Sequence, residues 1–278
     1  MDFVKRGIDL TILISLLKII FLLGFLIMIH EAGHLLVAKM CKVKVNEYSI
    51  GFGPAIWKKQ GKETLYSIRI IPLGGYCNME GEEEKSEKEG SFSEASIPKR
   101  IAIVLAGATV NIIFGFIVFF ILSATAKTEI VDYYLASNLK TDNSFINHIR
   151  FGGMRTKELA ISVLESIKML FTGKLGVNDM TGIVGISDTV AKTSNMREFL
   201  SMLSLISVSL GITNLLPIPA LDGGKIVLLI IEAIRRKPLN QQTEINIQLI
   251  GFSLLIALSI FVTYNDIVRI LQWNYAEI

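Results

Sequence analysis

The 278-residue chain reads as an all-α polytopic membrane protein of four transmembrane helices with a small membrane-associated β-hairpin insertion. Three observations predict this. Just over half of the residues, 51%, are apolar, and the mean hydropathy is +0.52. Four long stretches carry almost no charge, each near or above the ~20 residues that cross a hydrocarbon core. The clearest two-residue alternation lies between the first two stretches, among glycines, where a short sheet fits and another span does not.

The first span is expected over about 10–38. From Leu10 to Ile29 its only charge is Lys18. Lys5 and Arg6 ahead of it resemble the start of a secretory leader, but the apolar run is too long and lacks a small-x-small cleavage site, so it reads as a retained span. The hairpin region follows over 43–78. In Leu65-Tyr66-Ser67-Ile68-Arg69-Ile70-Ile71, residues Tyr66, Ile68 and Ile70 share one face, while Gly51, Gly53, Pro54, Gly74 and Gly75 set the turns. A strand edge there could hold an extended peptide by backbone pairing, with Ile68 and Ile70 facing it; a plain soluble cap is the alternative.

The second span is placed at about 101–126, where Ile101 to Ala126 has no charge over 26 residues. An outer loop follows over 127–198. Within it Leu159, Val163, Ile167, Leu170 and Phe171 recur at helical spacing against Lys157, Glu165 and Lys168, as in a helix on a membrane surface or packed on other spans. The third span is expected at about 199–231, with Asp222 and Lys225 its only charges, and the fourth at about 245–265. Arg235-Arg236-Lys237 marks the loop between them as cytoplasmic. The acidic 80–89 run reads as a solvated loop.

The first span carries chemistry as well as length. His30-Glu31-Ala32-Gly33-His34 places two imidazoles at i and i+4 on one helical face, as two ligands of one zinc ion must be. Glu31 beside them is suited to take a proton from zinc-bound water. Ionisable groups at membrane depth cost several kcal/mol unless paired or metal-bound, which favours a site over chance. The alternative has the same three side chains bonded to neighbouring helices.

Zinc also needs a third protein donor and an open position. His148 lies in the polar 141–150 segment and reads as a surface residue. Asp222 is the better candidate, because it interrupts the third run within Asn214-Leu215-Leu216-Pro217-Ile218-Pro219-Ala220-Leu221-Asp222-Gly223-Gly224. Two prolines and two glycines must break the span there, and irregular backbone at membrane depth is tolerated only where it lines a protein cavity. A helix cap is the other reading of Asp222. Four spans bring the exit of the first and the second half of the third to one face, so His30, His34 and Asp222 fall at similar depth. Asn111 in the second span either contacts substrate or braces a neighbouring helix.

Other classes fit less well. A net charge of +3 does not suggest nucleic acid, and Cys41 and Cys77 form neither a disulfide framework nor a CxxC pair. A zinc transporter or sensor using the same donors would leave Glu31 without a use, and the chain shows no inverted pair of broken helices. A heat-shock-type metalloprotease would take its third ligand from a glutamate outside the lipid.

The chain resembles the site-2 proteases, intramembrane zinc metalloproteases of regulated proteolysis, and especially the bacterial envelope-stress type. The resemblance rests on His30 to His34, on Val43 to Pro54, on Ile71-Pro72-Leu73-Gly74-Gly75-Tyr76 and on Asn214 to Gly224. It implies that His30, His34 and Asp222 bind one Zn2+ per chain, that Glu31 is the general base, and that Asn214 helps hold the substrate backbone. It implies a multi-pass protein of the bacterial cytoplasmic membrane with its active site toward the cytoplasm, in contact with lipid. Its substrate would be a single-span membrane protein, such as an anti-sigma factor or a remnant signal peptide. The chain departs from the family pattern at Ala106-Gly107-Ala108, where an Ala-Gly-Pro is usual. Members of this type also carry PDZ domains of about 80–100 residues between spans two and three. The 126–159 segment is too short for one, so the whole chain, 1–278, is expected to be a single metalloprotease domain.

Overall fold

A computed structural model describes residues 10–82, 84, 86–125, 145–176 and 179–276. The first helix, α1, runs over Leu10–Met40. It ends in a turn in which the amides of Lys42 and Val43 donate to the carbonyls of Lys39 and Ala38, with Lys42 in the left-handed region at φ 63°. Glycine usually takes that position, so the lysine there costs about 1–2 kcal/mol. That turn aims the chain directly into the sheet.

Strands β1 (Val45–Gln60) and β2 (Leu65–Met79) pair antiparallel, and the pair is bent on itself. Residues 47–50 lie between 75–78 on one side and 65–68 on the other, and 55–60 pair along the other edge of 65–69. Gly51 makes the bend possible. Its φ is 88°, and a Cβ there would stand 2.6 Å from the Ile71 carbonyl oxygen. The Tyr48 hydroxyl donates to the Met28 carbonyl at 2.7 Å, fastening the sheet to α1. Pro72 reaches still further along that helix, because a Cβ at Gly24 would lie 3.4 Å from its carbonyl oxygen. Gly24 is about 9 Å beyond His30 along α1, so this part of the sheet runs past the metal-binding motif.

Helix α2 (Ile97–Ala124) starts with proline in its first turn, where the missing amide is harmless. It packs on α1, and also on α3 (Phe145–Phe171) and α5 (Met196–Asn214). Small residues set these approaches. A Cβ at Gly33 would stand 2.6 Å from the Ala106 carbonyl oxygen, and one at Gly211 would stand 2.8 Å from that of Ala108. Such close crossing is how apolar helices gain dispersion energy without a hydrophobic drive between them.

The expected third span is two helices, α5 and α6 (Asp222–Arg235), separated by residues 215–221. Gly223 and Gly224 tolerate the carbonyls of Leu216 and Ile218 folded against them, which no side chain could. The long α7 (Gln241–Ala276) supports this loop: Gln248 accepts the Ala220 amide at 2.6 Å, and Gly251 packs on Pro219. Among the described residues four helices, α1, α2, α5 and α7, are long and apolar enough to cross a membrane.

At the end of the bundle away from the sheet, the short α4 (Ile183–Ala191) is pinned from two sides. Asp266 of α7 is fully buried and accepts the Gly182 and Gly185 amides at 2.9 and 2.7 Å, while Lys18 donates to the Thr193 carbonyl at 2.7 Å. His148, expected at the surface, is buried instead, because α3 begins well before the amphipathic 159–171 stretch. Its Nδ1 lies 2.8 Å from Ser123 Oγ, and Gly152 one turn on abuts Phe116 of α2. Further along α3, Ile161 and Leu164 are exposed. The part of the outer loop over 126–144 lies outside the described residues.

Candidate metal centre

His30 and His34 leave α1 on the side covered by α2, and Asp222 meets them from the first turn of α6. Asp222 Oδ2 lies 3.2 Å from His30 Nε2 and 3.5 Å from His34 Nε2, and the two nitrogens are 3.3 Å apart. Three atoms bound to one tetrahedral zinc at about 2.0–2.1 Å stand about 3.3–3.4 Å from one another, so the triangle fits that ion. Two further observations agree. Asp222 Oδ2 is buried and accepts no hydrogen bond. The His34 Nδ1–H donates to the Ile103 carbonyl at 2.8 Å, which leaves Nε2 as a bare lone pair aimed at the triangle.

Glycine again makes room. A Cβ at Gly107 would collide with His34 Nε2 and stand 2.8 Å from His30 Cε1. The Ala106-Gly107-Ala108 stretch therefore keeps the glycine that the imidazoles require, while lacking the usual proline.

A cleft of about 920 Å³ opens onto the triangle, and Glu31, Tyr76, Asn214 and Lys225 are among its lining residues together with the three donors. Glu31 sits against the hairpin, its Cγ 3.6 Å from where a Cβ at Gly75 would be. Asn214, the last residue of α5, brings its side-chain nitrogen 3.4 Å from His30 Nε2. Asn111 is near the same imidazole but on the far side, fully buried, with Nδ2 3.3 Å from His30 Nδ1. Ile68 and Ile70 stand elsewhere. Ile68 pairs with Ile50 and Trp57, Ile70 is 60% exposed beside Gly53, and neither lines the cleft.

Some participants left no trace in the residue pattern. Lys225 Nζ bonds Glu82 Oε1 at 2.7 Å, joining α6 to the loop after β2 at the cleft wall. Phe52 stacks on Tyr76 with centroids 6.4 Å apart, both facing the cleft. Glu47, also on the wall, is held by Ser67 and by Arg69 at 2.7 Å each. Burial raises its pKa, and these bonds together outweigh that and hold the carboxyl below its ordinary value. Cys77 carries no such partner, and burial pushes its thiol well above the usual range, so it stays neutral.

Comparison with known proteins agrees with this geometry. The model of peptidase family M50 matches residues 18–258. A candidate zinc metalloprotease of Clostridium acetobutylicum is 30% identical over 88% of this chain and 95% of its own length. The zinc metalloproteases RasP of Shouchella clausii and Bacillus licheniformis are each 23% identical over 92% of this chain and 99% of theirs. The Shouchella alignment spans 414 positions, many more than the 278 residues here, so that relative carries segments this chain lacks. Its bacterial relatives and four apolar helices make this a multi-pass bacterial membrane protein. The chain belongs to peptidase family M50, the site-2 proteases, and is a zinc metalloprotease.

Proposed function

We propose that the chain is an intramembrane endopeptidase that hydrolyses a peptide bond within the membrane span of a single-span substrate, acting as one domain over residues 1–278. The observation that carries this is the His30–His34–Asp222 triangle opening on a cleft between two apolar helices and a strand pair. His30, His34 and Asp222 hold the ion. Zinc bound there supplies a Lewis acid for the scissile carbonyl and acidifies a bound water.

The remaining roles belong to the protein. Glu31, in the cleft beside the donors, accepts the water proton and returns it to the leaving amine. Asn214 donates from its side-chain amide to the substrate backbone at the same wall. A helical substrate hides its peptide bonds, so it must be locally unwound. The β2 segment that runs past His30 offers backbone groups to an extended chain. The Arg235-Arg236-Lys237 cluster at the end of α6 supports a cleft that faces the cytoplasmic side. The substrate would be of anti-sigma or remnant-signal type, with little bulk outside the membrane.

The test is purified protein with model single-span substrates, with and without a chelator, beside Glu31→Gln. Cleavage should stop with the chelator. The variant should keep its zinc while losing at least ~10²-fold in rate. Near-parental cleavage by Glu31→Gln would remove that residue from the mechanism.

A further inference from the structure

The two imidazoles of the triangle are supported unequally. His34 Nδ1 faces a backbone carbonyl, which can only accept, so its tautomer is set. His30 Nδ1 faces Asn111 Nδ2 at 3.3 Å, a nitrogen that can only donate, while Asn111 Oδ1 is buried without a partner. With that amide orientation Nδ1 must be the bare nitrogen, and Nε2 would carry a proton pointing at Asp222 Oδ2 and His34 Nε2. A histidine in that form cannot ligate through Nε2. Turning the amide by 180° exchanges oxygen for nitrogen in nearly the same volume. Either orientation leaves one amide atom unpaired, and only the turned one frees Nε2.

We infer that Asn111 is a positioning residue for the metal centre: its side-chain carbonyl accepts the His30 Nδ1–H and so fixes the tautomer and ring plane that present Nε2 to zinc. Its own place is fixed. The residue is fully buried, and its backbone carbonyl accepts the Ser207 hydroxyl at 2.7 Å, locking this point of α2 to α5. The second-span asparagine thus serves the metal from behind the ligand, from a position where no substrate reaches it. The inference rests on the proposed ligand role of His30.

Zinc affinity, measured by chelator competition, tests it without reference to activity. Asn111→Leu, similar in size but without an acceptor, should bind zinc about 10–100-fold more weakly, the usual loss when a ligand's outer partner is removed. Asn111→Asp restores an acceptor and should recover most of that loss. Parental affinity in the leucine variant overturns the inference. Should that variant not fold, the parent protein still decides: with three histidines in the chain, 15N-histidine spectra of the zinc-loaded form are simple to assign. A protonated Nδ1 and metal-bound Nε2 on His30 support the assignment, and the reverse overturns it. His30→Ala separates the levels. If it keeps its zinc, the ligand reading has failed; if it loses zinc while Asn111→Leu does not, only the positioning role has.

Discussion

The two ends of the helix bundle bury polar groups in opposite ways. At the end away from the sheet each buried group ties two segments together: Asp266 takes two amides at the start of α4, Lys18 takes the Thr193 carbonyl, and His148 meets Ser123. At the sheet end His30, His34 and Asp222 turn their reactive atoms toward one another, and Asp222 Oδ2 accepts no hydrogen bond. Groups that finish their bonding within the protein build the scaffold. Groups left facing a common point within an apolar bundle are arranged for something that is not protein.

The contrast breaks most sharply at the donors. Asp222→Ala should lower zinc occupancy from about one per chain to near none by metal analysis, a loss greater than the ~10–100-fold that follows removal of an outer partner. The fold should persist, because the Ala220–Gln248 bond and the Gly251–Pro219 contact still hold the 215–221 loop. Full occupancy in that variant would mean that the third donor lies elsewhere.

The opposite outcome is expected at the far end. Asp266→Ala leaves two amides and Arg269 without their carboxylate, and hydrogen bonds to a charged group are each worth about 1.5–3 kcal/mol. Thermal unfolding in detergent should shift down by several degrees while zinc per chain is unchanged. A loss of zinc there would show that the two ends are coupled.

The smallest effect is a pH dependence on the sheet side. Hydrogen bonds from Asn46, Ser86 and Lys88 hold the Glu80 carboxyl down at about 2. A depressed carboxylate stabilises above its unfolded value of about 4.3 and loses that contribution as pH falls through the folded value. Local opening in the loop after β2, read from hydrogen exchange corrected for its intrinsic pH dependence, should therefore rise between roughly pH 4 and 2. Glu80→Gln should flatten that rise, and an unchanged profile in the variant would assign it to another group.

The four apolar helices and the His30–His34–Asp222 cluster are legible because each has a local signature. Charge-free runs mark helices in lipid, and an i, i+4 imidazole pair and a proline-flanked aspartate mark the site before any contact is known. The supports are not. The Ile103 carbonyl that sets the His34 tautomer is a backbone atom without a residue preference, and Lys225 and Glu82 are 143 positions apart. The start of α3 is hidden in the sequence because Gly152-Gly153 weakens helical propensity; Gly152 is instead the point where Phe116 fits. The hairpin reads as a single pairing, whereas with the bend at Gly51 the two strands pair over three stretches.

The break between α5 and α6 has a consequence for how zinc and shape depend on each other. In the proposed site, two donors come from α1 and the third from the first turn of a helix nearly two hundred residues later, beyond a loop without regular structure. An ion shared by His30, His34 and Asp222 is then a cross-link between distant parts of the chain. By linkage, whatever free energy the ion gains from α6 being docked, it returns as resistance of α6 to undocking. Chelation would then loosen α6 and the segment before it, while α1, held by α2 and the sheet, stays in place.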